Sequence, residues 1–222
     1  MEVGITAKEA AAFDRNLSAR RPDAFSPNLA MSLTTLARSL AELGQHEEAL
    51  AAVQDAVDIR HSLAERRPAT FLPDLVLSLN NMSALLSSMG RREAALDAVH
   101  EAIEIYRELV VKSPDAFHPD LARSLGSLGS ILGIAPTDWE AAAPALSEGI
   151  RVLKPQFFTL SDAFALLMHN PGCHYLQACE QLRQEPDDGL LREVAAAFEA
   201  FSPSKRIDGA PADGRAGSAN RD

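Results

Sequence analysis

The chain has 222 residues, a net charge of −10 and 46% hydrophobic residues, an ordinary apolar content for a folded protein. That acidity disfavours nucleic acid and anionic membrane surfaces as partners. No apolar stretch reaches the roughly 20 residues that span a bilayer, and MEVGITAKEA lacks the basic segment and apolar run of a signal peptide, so the expected location is the cytoplasm.

With nine Phe, two Tyr and one Trp, the apolar mass is mostly Ala and Leu, which points to helices. The first predicted element is a helix over residues 3–20, and its role depends on the repeats beyond it. RPDAFSPNLAMSL from Arg21, RPATFLPDLVLSL from Arg67 and SPDAFHPDLARSL from Ser113 share a Pro-x-x-Phe-x-Pro frame. Phe25, Phe71 and Phe117 recur at a step of 46 residues, as do Pro27, Pro73 and Pro119, and Gly44 and Gly90. A period of this size marks a solenoid of supersecondary units, none able to bury its apolar face alone.

Proline removes a backbone donor and disfavours helix in the residue before it, so turns are expected at 21–28, 67–74 and 113–120. Phe25, Phe71 and Phe117 are expected to be buried between successive hairpins. Asn28, Asp74 and Asp120 stand where a short polar side chain caps a new helix. A helix A then runs over about 29–43 and 75–89, each stopped by a glycine, Gly44 or Gly90. Helix B comes next. In the second unit Leu96, Val99, Ile103, Tyr106 and Val110 form one apolar stripe, and Ala95, Ala102, Ile105 and Leu109 a second beside it. Two stripes let helix B touch both its own hairpin and the next.

The third unit drifts. Helix A is expected over about 121–132, IAPTD as a longer turn, and helix B from Trp139 with one residue inserted and Pro144 in its first turns. Beyond Pro155 the frame is lost. FTLSDAFALLMH reads as a helix, NPG as a turn, and CHYLQACEQLRQ and LLREVAAAFEAF as two more helices. From Ser202 onward Pro, Gly, Ala, Ser and charge without period predict disorder.

These residues resemble the tetratricopeptide repeat, in the longer variant of kinesin light chains. Leu33, Leu36, Ala37, Leu40, Gly44, Ala49, Val53 and Ala56 follow the family pattern. So do Leu79, Met82, Ser83, Leu86, Gly90, Ala95, Val99 and Ala102. The proline that usually ends helix B is absent, and helix B runs about two turns further, to Pro68 and Pro114. The resemblance implies an all-α, right-handed solenoid of antiparallel helical hairpins with terminal capping helices and a disordered C-terminal tail. Its parts are a capping helix over 1–20, repeats over 21–66, 67–112 and 113–155, a degenerate fourth hairpin with a C-terminal cap over 156–201, and the tail over 202–222. It covers residues 8–153 well.

The family's concave surface is lined by helix A. There the chain places short polar side chains, and Thr34, Thr35, Arg38, Asn80, Asn81, Arg123 and Ser127 are the candidate peptide-binding residues. Ser, Thr and Asn are indifferent helix formers. They serve either to contact the backbone of a bound peptide or to let neighbouring A helices approach closely. No lysine occurs between Lys8 and Lys112, so the groove does not match the basic carboxylate clamp of chaperone-binding members. The implied function is a non-catalytic scaffold holding an extended peptide or helix of a protein partner. The alternative is a regulatory or sensor component acting in trans on a bacterial signalling NTPase or protease-type effector.

No catalytic residue, cofactor or metal is expected. GxSxG, HExxH and phosphate-cradling loops are missing from the sequence, and SLGSLGSILG reads as close helix contact. His169, Cys173, His174 and Cys179 form one cluster with ligand chemistry, but no CxxC occurs and Cys173 and Cys179 are six residues apart.

The helix over 3–20 aligns with a helix B whose helix A is absent. Val3, Ala10, Phe13 and Leu17 are expected to meet the following unit, while Gly4, Ala7, Ala11, Asp14 and Ser18 face away as the soluble side of a cap. On that reading the chain is a monomer through this end.

Overall fold

The computed structural model describes residues 2–133, 138–159, 161–192 and 194, and no strand occurs among them. Its helices are α1 (Glu2–Arg20), α2 (Pro22–Glu42), α3 (His46–Arg66), α4 (Pro68–Ser88), α5 (Arg92–Lys112), α6 (Pro114–Leu132), α7 (Trp139–Thr159) and α8 (Ser161–Leu182). Each packs on the next, and α6 also reaches α4 and α8. Helices α2, α4, α6 and α8 therefore form one layer and α1, α3, α5 and α7 the other. None of the described helices is long and apolar enough to cross a membrane.

The Pro-x-x-Phe-x-Pro segments are not turns. Each is the first third of a helix, and the turn shrinks to one residue. Arg21, Arg67 and Ser113 share nearly one backbone conformation (φ −142°, −140° and −150°; ψ 78°, 74° and 75°). Pro22, Pro68 and Pro114 then take the first helical position, where a missing amide costs nothing. Pro27, Pro73 and Pro119 lie inside the helices, each giving up one ladder bond near the start. Burial of Leu29, Ala30 and Leu33 just beyond, and of their counterparts, outweighs that loss.

Two later breaks are likewise absent: α7 continues through Pro155 to Thr159, and α8 passes unbroken through Asn170, Pro171 and Gly172. Packing again overrides the local signal. Leu153, Phe157 and Met168 are at most 1% exposed. Residues 134–137 of the long turn, most of the last predicted helix and the tail lie outside the described residues; residues 188–192 are helical.

Phe71 is buried, whereas Phe25 and Phe117 are half-buried. Phe117 leans on Tyr106 with ring centroids 6.4 Å apart, so it does bridge two hairpins, from the rim rather than the centre.

The glycine stops behave as expected. Gly44 and Gly90 have φ of 75° and 73°. The amides of Gln45 and Arg91 reach back to the Leu40 and Leu86 carbonyls at 2.8 and 2.9 Å, closing Schellman motifs. A Cβ at Gly44 would meet nothing within 4 Å, so Gly44→Ala isolates the backbone term, an expected loss of about 1–2 kcal/mol. Gly172 has equally open surroundings but sits inside α8, and Gly172→Ala is expected to gain about 0.5–1 kcal/mol. Urea titration of the pair checks this, and equal signs would be the wrong result.

The third hairpin closes differently. Gly133 has φ −69° and no left-handed stop. Arg92 fastens the join, donating to the Ile131 and Leu132 carbonyls at 3.3 and 3.4 Å and pairing with Asp138 just before α7.

The two faces of α1 are the reverse of the expectation. Ala7 and Ala11 are buried against α2, with Asp14 accepting from Ser32 and Ser18 bonded to Ser26. Phe13 is 65% exposed and Ala10 is also exposed. The side chains of Val3 and Gly4 lie outside the described set. The cause is visible one unit later: Arg60, 46 residues after Asp14, pairs with Ser78 of α4, 46 residues after Ser32. That stripe faces the next hairpin. Ala49 and Ala56 sit with the leucines of α2, their own hairpin, so the equivalents on α1 have no helix to meet among the described residues.

Candidate functional site

The layer of α2, α4, α6 and α8 carries two adjoining clefts. The first, about 520 Å³, lies between α2 and α4 and is lined by Thr34, Thr35, Arg38 and Asn81, over a floor that includes Ala37, Val53 and Ala84. The second, about 410 Å³, lies between α4, α6 and α8 and includes Arg123, Ser127, Asn170 and Pro171. Ala84 and Ser88 line both, so the two form one groove across the stack.

Six of the seven sequence candidates line this groove. They do so because Thr35, Asn81 and Ser127 stand 46 residues apart at one register on successive helices of the layer. All three are exposed. Asn80 is the exception. Its side-chain oxygen accepts from Ser124 of α6 at 3.1 Å and its side chain also bonds Tyr106 of α5, so it serves the junction between hairpins.

The short polar residues divide between two environments. Ser78, Ser83 and Ser124 are at most 2% exposed and occupy the contacts between helices. The exposed hydroxyls are turned inward in a different sense. Thr35 donates to the Met31 carbonyl at 3.1 Å and Ser127 to the Arg123 carbonyl at 3.1 Å, as Thr34 and Ser130 do to Ala30 and Gly126. With their protons committed, these hydroxyls offer acceptor lone pairs to a ligand. Donors come from Arg38 and the Asn81 amide. Arg123 is partly engaged, 2.5 Å from Asp120.

Lining residues that sequence reasoning missed include Ala84, Asn170 and Pro171. An alanine carries no signal of its own, and Pro171 stands in NPG, whose local signal is a break. Gly126 leaves room for it: a Cβ there would lie 3.8 Å from Pro171.

The cluster of possible metal ligands is divided. Cys173 lies 3.5 Å from His169 on the surface of α8, His174 bonds Ser130 at 3.0 Å, and Cys179 is buried. Among the described residues no three His, Cys, Asp or Glu converge.

Burial governs the two shifted groups at the junctions. Desolvation pushes the Tyr106 phenol well above its ordinary value, and it lowers Arg60 from the usual guanidinium range against the opposing field of Asp74. On the opposite layer, equivalent surface contacts between basic and acidic side chains join successive helices: Arg15–Asp55 at 3.2 Å, His61–Glu101 at 3.0 Å and Arg107–Glu148 at 2.9 Å. Each is exposed and contributes little alone.

Residues 29–67 and 75–120 match the model of the tetratricopeptide repeat. No curated protein matches the chain. Among solved structures, a kinesin-light-chain-type protein of Podosopora anserina with nearly identical TPR-like repeats matches in a variant form. It is 16% identical over 88% of each chain, with a TM-score of 0.59. Another form of that protein gives 0.52 at 16% identity over 89% of each. BtubC (BKLC) from P. vanneervenii gives 0.54 at 14% identity, covering 100% of this chain and 97% of its own. At these identities the likeness is one of fold.

Proposed function

Residues 29–67 and 75–120 being tetratricopeptide repeats within a solenoid of that fold, we propose that the chain is a non-catalytic scaffold binding a segment of a protein partner in the groove of α2, α4 and α6. Such repeats serve many partners through one architecture, so the site has to be argued from its own residues. One observation carries the reading: exposed Thr35, Asn81 and Ser127 repeat at one register along a groove whose hydroxyls accept and whose Arg38 and Asn81 donate. An extended peptide presents its own amides and carbonyls along its length, and a row of small polar groups repeated on successive helices offers partners to them. The groove holds no lysine, so it differs from the basic carboxylate clamp of chaperone-binding members, and its cations are Arg38 and Arg123.

A photo-crosslinking residue at position 81 is expected to capture the partner, and the same residue at exposed Glu104 on α5 is not. Capture at 104 alone would move the site to the other layer. For the partner so identified, Asn81→Ala is expected to weaken binding about tenfold, from roughly 1–3 kcal/mol of lost polar contact, with melting unchanged. Asn80→Ala is expected to do the reverse, lowering stability while leaving affinity nearly intact.

A further inference from the structure

Resting on the groove reading above, we propose that the bound segment is an extended peptide with two specific side chains. A large apolar one seats on Met31 and Leu77, and an acidic one about three residues away pairs with Arg38. The exposed positions of α2 include Met31, Thr35 and Arg38, whose spacings of four and three residues put them on one helical face. Leu77 and Asn81 repeat the first two on α4, 46 residues on, and are exposed as well. Thr35, Arg38 and Asn81 line the first cleft, so Met31 and Leu77 flank its end, one turn before Thr35 and Asn81. They are 60% and 46% exposed. The equivalent position on α6 is Arg123, so the apolar row stops after two helices.

One exposed leucine needs no explanation. Two large apolar side chains at one register on the two walls of a cleft form a shared seat, and it adjoins the hydrogen-bonding groups of the groove. Charge supplies the second feature. Arg123 is engaged by Asp120 at 2.5 Å, whereas Arg38 is exposed and has no ion pair among the described residues. Arg38 lies two turns beyond Met31, a rise of about 10 Å along α2. An extended chain covers that distance in about three residues. Its intervening backbone then passes Thr35 and Asn81, the acceptor and donor already assigned to it. The chain's net charge of −10 disfavours an acidic partner at long range, so the preference is local. It comes from the guanidinium fork, which takes a carboxylate through two parallel bonds.

Short random peptides displayed on phage and panned on the full chain test this, with the enriched sequences then measured as labelled free peptides by fluorescence polarisation. The expected sequences share a Leu, Met, Ile or Phe with an Asp or Glu two to four residues away. Their order should be constant, because the apolar seat and Arg38 stand at different ends of the cleft. Met31→Ser with Leu77→Asn is expected to weaken these peptides about tenfold or more, with an unchanged melting temperature. Panning on Arg38→Glu is expected to replace the acid by Lys or Arg at the same spacing. Enriched peptides without the apolar and acidic pair would overturn the proposal. So would full affinity in the double variant, or a wild type that enriches nothing beyond what the double variant does. Asn81→Ala separates this failure from that of the groove itself. Peptides that lack the pair but are weakened by Asn81→Ala would leave the groove in place and remove only the proposed sequence preference. Peptides indifferent to both sets of changes would remove the groove as well.

Discussion

Tyr106→Ala is expected to cost about 3–5 kcal/mol, the range for emptying a large aromatic site in a packed core. Tyr106 is 1% exposed, its ring meets Phe117, and its hydroxyl bonds Asn80, so one side chain on α5 ties together α4 and α6. In a repeat array each hairpin is held chiefly by its neighbours, so a loss at this junction separates the two halves rather than loosening the whole. Urea unfolding that is a single transition in the wild type should therefore split or broaden in the variant. Tyr106→Phe keeps the ring and removes only the hydroxyl, an expected loss of about 1 kcal/mol. A Tyr106→Ala variant within about 1 kcal/mol of the wild type would mean that the junction is held elsewhere.

The junction also shows why each hairpin meets its own neighbour. The same helix position holds Asp14, Arg60 and Tyr106 in turn, facing Ser32, Ser78 and then Asn80 with Ser124. Three successive contacts share a geometry and differ in chemistry. A hairpin slipped by one unit would oppose an acid, a guanidinium or a ring to a partner set suited to another, which favours a single order of stacking.

Much of the architecture is legible in the sequence because the period repeats it. A 46-residue step in Phe, Pro and Gly requires three similar units, and two apolar stripes on helix B require neighbours on both sides. The ends of elements are not legible. Proline signals its local cost, yet Pro27, Pro73, Pro119, Pro155 and Pro171 all lie inside helices. One lost backbone bond is smaller than the burial of residues such as Leu33 or Phe157 on the next turn, and that burial depends on helices distant in sequence. The face of α1 is obscured for a related reason. Bulk ordinarily marks the buried side, whereas on this helix the small residues Ala7 and Ala11 are buried and Phe13 is exposed. Among site residues, Asn80 and Asn81 look equivalent as neighbours in the chain. A helical step of about 100° sends one to a hairpin junction and the other to the groove.

The same limit makes Gly129 and Gly126 an informative pair. In SLGSLG they are indistinguishable, and a helix interior disfavours both by about 1 kcal/mol relative to alanine. Their surroundings differ. A Cβ at Gly126 would rest 3.8 Å from Pro171, an ordinary contact. At Gly129 it would overlap both Cγ and Cδ2 of Leu146, a side chain 0% exposed in the core between α6 and α7. Gly126→Ala is therefore expected to stabilise by up to about 1 kcal/mol, and Gly129→Ala to destabilise by about 1–3 kcal/mol as overpacking exceeds the helical gain. Gly129→Val, larger still, should release α7 and α8 from the stack. The cause can be separated from a general intolerance at this position. Leu146→Ala alone is expected to cost about 2–5 kcal/mol, and in that background Gly129→Ala fills part of the vacated space, so its effect should change sign. Denaturant unfolding of the four chains gives the coupling directly. If Gly129→Ala is equally harmful with and without Leu146, the close approach of α6 to α7 is not what this glycine is for.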